Sequence, residues 1–182
     1  MSMSLTFKAQ PYEINGWTIL ALPKDASLQL PSRGQVMIKG TINGHALHTA
    51  LEPDGDSGHW LHIDEALQRA TGLSAGDTAE LDVIATKEWP EPRVPDDLQG
   101  AIDADTEVRE RWADITPMAR WEWIRWINST NQAETRARRI EVSCSKLLGG
   151  SRRPCCFNRS MCCVPDVSKN GVLLRPMLAI DK

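Results

Sequence analysis

A change of hydrophobic rhythm constrains this chain more than any other feature, and it falls at Pro90, Pro92 and Pro95. Upstream, apolar residues recur at every second position, as in Ala79, Leu81, Val83 and Ala85; downstream they recur every third or fourth, as in Ala137, Ile140, Cys144, Leu147 and Leu148. The first spacing lines one face of a strand and the second one stripe of a helix. Proline neither donates to a ladder nor continues a helix, so the three prolines mark the change of architecture. The expected fold is mainly β plus α: a small closed β-barrel over residues 1–95, a helical segment over 96–150, and an irregular cysteine-containing tail over 151–182.

Local signals support this division. Gln35–Ile42 alternates polar with apolar residues, Asn43-Gly44 supplies residues that tolerate positive φ, and His45–Leu51 runs back, which predicts a hairpin. Gly16–Leu22, His59–Ile63 and Thr78–Thr86 read as further strands, and Asp64–Ala70 as a short helix leaving at Gly72. Many short, evenly spaced strands suit a barrel. Beyond Pro95, helices are predicted over Asp96–Ala104, Thr106–Ala113, from the N-cap Thr116 with Pro117 at the first helical position, and from a capping pair, Asn131 with Glu134, to Gly149-Gly150.

At 182 residues with 41% apolar and 25% charged side chains, the chain has the composition of a folded protein with room for two modest cores. No apolar run reaches the length of a bilayer crossing, and the first residues lack a basic start followed by an apolar stretch, so a cytoplasmic location is expected. Charge is unevenly placed. Residues 43–116 hold 17 acidic and 5 basic side chains, whereas 133–163 hold 7 basic and 2 acidic. Two explanations stand: attraction between oppositely charged parts, or an anion-binding patch towards the C-terminus.

Three constellations carry candidate chemistry. His45, His48, His59 and His62 lie close in sequence, but residues three apart on a strand face opposite sides, which counts against a metal or acid–base cluster. Cys155, Cys156, Cys162 and Cys163 form two adjacent pairs, a poor disulfide framework but a candidate thiolate set for Cu(I) or Zn(II). Arg136, Arg138 and Arg139, extended by Lys146, Arg152 and Arg153, are expected to face outward, opposite the apolar stripe, near a tryptophan-rich helix carrying Trp121, Trp123 and Trp126. Guanidinium and indole groups together suit an anionic or aromatic ligand, or a protein partner. Trp126, Arg136, Arg138 and Arg139 are the candidate binding residues. No nucleophile elbow, phosphate-cradling glycine loop or metalloprotease helix occurs.

Gly34-Gln-Val-Met-Ile-Lys-Gly-Thr-Ile-Asn-Gly44 and Gly76-Asp-Thr-Ala-Glu-Leu-Asp-Val83 resemble a bacterial family of small barrels known as a domain of unknown function. Pro117-Met-Ala-Arg120, Trp126-Ile-Asn and Glu134-Thr-Arg-Ala-Arg-Arg-Ile140 resemble the YdeI/OmpD-associated, or bacteriocin-protection, segment that follows such barrels. The resemblance implies a double-split barrel of the AbrB type and brings no catalytic residue. AbrB-type proteins bind DNA with basic strands, whereas this barrel region is acidic, and acidic side chains repel phosphates. The resulting expectation is a non-enzymatic binding or stress-protection module without a cofactor. Two alternatives stay open, a metal-binding or redox protein using the cysteines or histidines and an AbrB-like nucleic-acid regulator.

Overall fold

The computed structural model describes residues 4–154 and 159–176. They form two units: a β unit drawn from residues 4–88, 159–162 and 166–176, and a helical unit drawn from 89–154 and 163–165.

The β unit contains β1 (Ser4–Ala9), β2 (Tyr12–Ile14), β3 (Trp17–Ala21), α1 (Lys24–Leu28), β4 (Val36–Ile42), β5 (His45–Pro53), β6 (His59–His62), α2 (Glu65–Thr71) and β7 (Ala79–Ala85). The predicted hairpin is present: Asn43 and Gly44 both take positive φ, and Ile42 faces His45 across the turn. In β7, Ala79, Leu81 and Val83 turn inward while Glu80 and Asp82 face solvent, the alternation read from the sequence. Asp64 caps α2 through the Leu67 amide, and Gly72 ends it in the left-handed region.

The expected closed barrel does not form. The seven strands run in the order β1-β7-β4-β5-β6-β3-β2, all neighbours antiparallel, and curl into an open half-barrel with β1 and β2 as its edges. Closure would require β1 to pair with β2. Only Gln10 and Pro11 separate them; Pro11 lacks a donor, its carbonyl is taken by the Gly76 amide at 2.9 Å, and β2 is just three residues long. Ala26 of α1, Leu30, Leu67 of α2 and Leu73 pack against Leu20, Ile38, Leu51, Leu61 and Leu81, so helices and loops help complete the core.

Within the segment read as an irregular tail, a 3-10 turn at Pro165–Val167 precedes a small hairpin of β8 (Ser168–Lys169) and β9 (Val172–Leu173). Val167 and Leu173 are buried, so the chain beyond the helices contributes apolar surface to the folded protein.

The helical unit comprises α3 (Asp96–Asp103), α4 (Thr106–Asp114), α5 (Pro117–Ile127) and α6 (Ala133–Leu148), close to the predicted spans. Its core gathers Leu98, Ile102, Val108, Trp112, Trp123, Ile127, Ile140 and Leu147. Thr116 caps α5 at the Ala119 amide with Pro117 in the first position, as expected. The Asn131/Glu134 capping box does not form. Helix α6 starts from Gln132, whose amide is held by Thr130 Oγ1, while Ser129 Oγ bonds back to the Trp126 carbonyl. This tight turn sets the start of α6 one residue beyond the position that the box would require.

Candidate functional site

The candidate binding residues meet at the corner between α5 and α6, but they do not share one outward face. By the 3.6-residue period, Arg136 and Arg139 border the side of α6 that carries Ile140, Ser143 and Leu147, while Arg138 points away among Glu134 and Glu141. The expectation that the arginines oppose the apolar stripe therefore holds for Arg138 alone. Ala137, placed in the stripe from sequence, is exposed, and Ser143 occupies the buried side instead, its hydroxyl bonded to the Arg139 carbonyl.

Arg136 is fully engaged inside the unit. Its Nε and Nη2 donate to the two carboxylate oxygens of Asp97 at 2.6 and 3.0 Å, and Nη1 donates to Asn128 Oδ1 at 2.6 Å. This bidentate pair joins α3 to α6. The guanidinium bond to Arg136 holds the Asp97 carboxyl below the usual carboxylate range, and the carboxylate in turn raises Arg136.

Arg139 is engaged along one edge only. Its Nη1 donates to the Trp126 carbonyl at 2.8 Å and to Ser129 Oγ, and its guanidinium lies over the Trp126 ring, 5.4 Å from the centroid. Trp126 is half-buried and meets Trp123 edge-on, with centroids 6.2 Å apart. The Nε–Nη2 edge of Arg139 has no partner among the described residues, which leaves a fork of two parallel donors on a plane already fixed by an indole and two oxygen atoms.

The remaining tryptophans and arginines of this unit serve its architecture. Trp123 is fully buried and donates to the Arg152 carbonyl, whereas Trp121 turns to Trp89 and donates to the Pro90 carbonyl at 2.7 Å. Arg120 satisfies the carbonyls of Trp112, Ala113 and Ile115 at the end of α4 and pairs with Glu91. Arg152 pairs with Asp114, and Arg153 lies 3.5 Å from the Glu122 carboxylate. Part of the sequence's charge asymmetry thus resolves within the helical unit, where acidic residues of α3 and α4 meet basic residues of α6 and the segment after it.

The histidines are not gathered. His59 is buried, its Nε2 donating to the Gly34 carbonyl at 2.9 Å and its Nδ1 3.2 Å from Ser27 Oγ, and burial lowers its pKa. His62 is exposed yet lies against Trp17 with ring centroids 4.3 Å apart, and partial desolvation there lowers its pKa. His48 donates to the Glu88 carbonyl, and His45 is exposed beside the hairpin turn. Cys162 is buried and Cys163 half-buried; Cys155 and Cys156 lie outside the described residues. Among the described residues no three His, Cys, Asp or Glu side chains are placed to hold a metal ion, and no helix is long and apolar enough to cross a membrane.

Sequence reasoning missed the roles of Asp97, Asn128 and Ser129, because their partners lie on other helices or across a turn. It also missed Asp54, whose only sequence signal is its place in the glycine-rich run Pro53-Asp-Gly-Asp-Ser-Gly58.

The protein is thus a β half-barrel joined to a four-helix unit with an aromatic–guanidinium corner, and comparison with known families agrees with that division. Residues 6–83 match the domain of unknown function DUF1905, and residues 91–150 match the family described as bacteriocin-protection, YdeI or OmpD-associated. The two matches follow one another in the order that the motifs implied. No curated protein gives a match to it.

Proposed function

We propose that the protein is a non-enzymatic binding module of the protective kind, in which the β unit is scaffold and the α5–α6 corner takes an anionic group. The supporting observation is Arg139: its guanidinium is held over Trp126 by two oxygen acceptors, with its Nε–Nη2 fork unengaged among the described residues. A side chain already ordered loses little entropy on binding, and that fork matches a carboxylate or phosphate. Arg136, tied to Asp97 and Asn128, positions the corner, and Trp126 supplies its aromatic floor. Arg138 adds long-range attraction from the neighbouring face. The family description for residues 91–150, which names bacteriocin protection, is consistent with a binding role.

The test is fluorescence anisotropy of labelled heparin, single-stranded DNA and duplex DNA at low and moderate salt. The expected result is polyanion binding that weakens by about tenfold between roughly 50 and 200 mM salt, as release of a few counterions requires. Arg139→Gln should abolish it while circular dichroism stays unchanged. Absence of salt-sensitive binding to all three polymers would overturn the reading. Binding confined to duplex DNA, together with a dimer on size-exclusion chromatography, would instead favour a nucleic-acid-binding regulator.

A further inference from the structure

Where the tail returns to the β unit it meets a carboxylate that a single loop has built. Asp54 directly follows β5, and its side chain is 1% exposed. Its Oδ1 accepts the backbone amides of Asp56 at 2.7 Å and Gly58 at 2.8 Å, and its own amide donates to the Gly58 carbonyl at 3.0 Å. The loop therefore saturates one carboxylate oxygen by itself. The other, Oδ2, receives Arg175 Nη2 at 2.8 Å.

Two further bonds align the segment before that arginine. The Leu173 amide donates to the Asp54 carbonyl at 2.8 Å, and the Tyr12 hydroxyl donates to the Leu174 carbonyl at 3.0 Å. Leu173 is buried. Burial raises the Tyr12 pKa despite the nearby Arg175, which keeps the phenol protonated as a donor. A Cβ on Gly55 would stand 1.9 Å from the Gly171 carbonyl oxygen of the hairpin turn, and one on Gly58 would stand 2.3 Å from Asp54 Oδ2 within the loop itself. Glycine thus lets the hairpin approach at the first position and the carboxylate fold back at the second.

Within the hairpin, Leu173 pairs with Ser168 and the Leu174 amide donates to the Val167 carbonyl. Besides these, one main-chain bond and one tyrosine hydroxyl hold the segment beside a carboxylate that selects one side chain, and such contacts are elements of peptide recognition. The two members of the ion pair are also unequal: Asp54 is buried within a rigid loop, whereas Arg175 is 48% exposed at the end of the segment. An acceptor built in place and a half-exposed donor describe a site and its occupant more closely than two equal parts of a core.

The geometry points to a peptide-recognition site on the β unit, formed by Asp54, Tyr12 and the loop of residues 53–58, which takes an extended segment of two apolar residues followed by arginine. In the free protein Leu173-Leu174-Arg175 fills it in cis. An arginine-bearing peptide of the same pattern from another chain is the ligand that would displace the tail. The site belongs to the β unit and does not depend on Arg139, so loss of polyanion binding would leave it untouched.

The experiment uses full-length wild-type and Arg175→Ala protein, titrated with an acetylated, fluorescently labelled peptide of residues 170–176 and with the same peptide carrying Ala for Arg. A site occupied in cis lowers apparent affinity by the fraction of molecules that are open. Arg175→Ala is therefore expected to bind the arginine peptide at least about tenfold more tightly than wild type does, and tenfold more tightly than it binds the alanine peptide. Adding Asp54→Asn should abolish that preference. Hydrogen exchange without peptide supplies the second measurement. In Arg175→Ala the Leu173 amide should exchange faster while β4 amides keep their protection, with Arg175→Lys intermediate. Failure of Arg175→Ala to bind the arginine peptide, equal binding of both peptides, or loss of β4 protection along with Leu173 would overturn the inference.

Discussion

The two units hold themselves together by different means. In the β unit the backbone ladder satisfies most main-chain groups, so the core between strands is largely aliphatic, and the buried polar residues His59 and Asp54 are secured by loop atoms and, for Asp54, by Arg175 as well. The helical unit consists of short helices, and each helix end leaves carbonyls or amides without intrahelical partners. Arginine supplies several of the missing partners, Arg120 at the end of α4 and Arg139 at the end of α5, while Arg136 ties α3 to α6 through the Asp97 side chain. The β unit uses the same kind of joint where its backbone leaves the ladder: Arg33 donates to the carbonyls of Ser27, Leu30 and Ser57. The lesson for function is that a cluster of arginines in such a bundle is first a set of joints, and only the donors left over are available to a ligand.

Perturbing each unit at its own kind of joint tests this contrast, and the largest effect is expected in the sheet. At Gly40 of β4 an added Cβ would lie 2.1 Å from the Asp82 carbonyl oxygen of β7, a backbone atom that cannot move aside cheaply. Gly40→Ala should destabilise the β unit by about 3 kcal/mol, read by urea unfolding. In the helical unit Arg120, only 12% exposed, serves three carbonyls at once. Arg120→Ala should cost about 2 kcal/mol and speed hydrogen exchange in α4 before any change in the sheet; equal loss of protection in both units would break the contrast.

Acidification should separate the units by pH. His59 and His62 bind a proton less readily folded than unfolded, so their units of stability are intact above the unfolded value of about 6.5 and decline as pH falls towards the lower folded values. Asp97 has the opposite partner chemistry: its lowered pKa contributes stability above the unfolded value of about 4, lost only as pH drops through the folded one. The β unit should therefore weaken first, measured by hydrogen exchange between pH 7 and about 3, and His59→Gln should flatten the upper part of its profile. Reversal of that order would show that the joints are misassigned. The smallest effect belongs to Arg138→Ala, expected to change stability by less than about 0.5 kcal/mol because the side chain is exposed and makes no ion pair among the described residues.

Much of the fold was legible because its signals are local. Asn43-Gly44, Asp64 with Gly72, and Thr116-Pro117 each fix backbone geometry within a few residues, and each appears in the structure where the sequence placed it. The open sheet was not legible, since strand alternation says which face is buried but not whether the last strand meets the first; that outcome rests on a two-residue link and a three-residue β2. The candidate site was legible in composition and not in orientation. Trp126 and Arg139 do come together, yet Arg136 turns to Asp97, thirty-nine residues away in sequence. No spacing rule reaches across that separation.

The return of the tail also orders events during synthesis. Residues 166–176 belong to the β unit, yet a ribosome must translate all four helices before Val167, Leu173 and Arg175 emerge. A nascent chain therefore holds Asp54 without its cation until the residues beyond the four helices have been translated, and the helical unit has the earlier opportunity to fold although its codons come second.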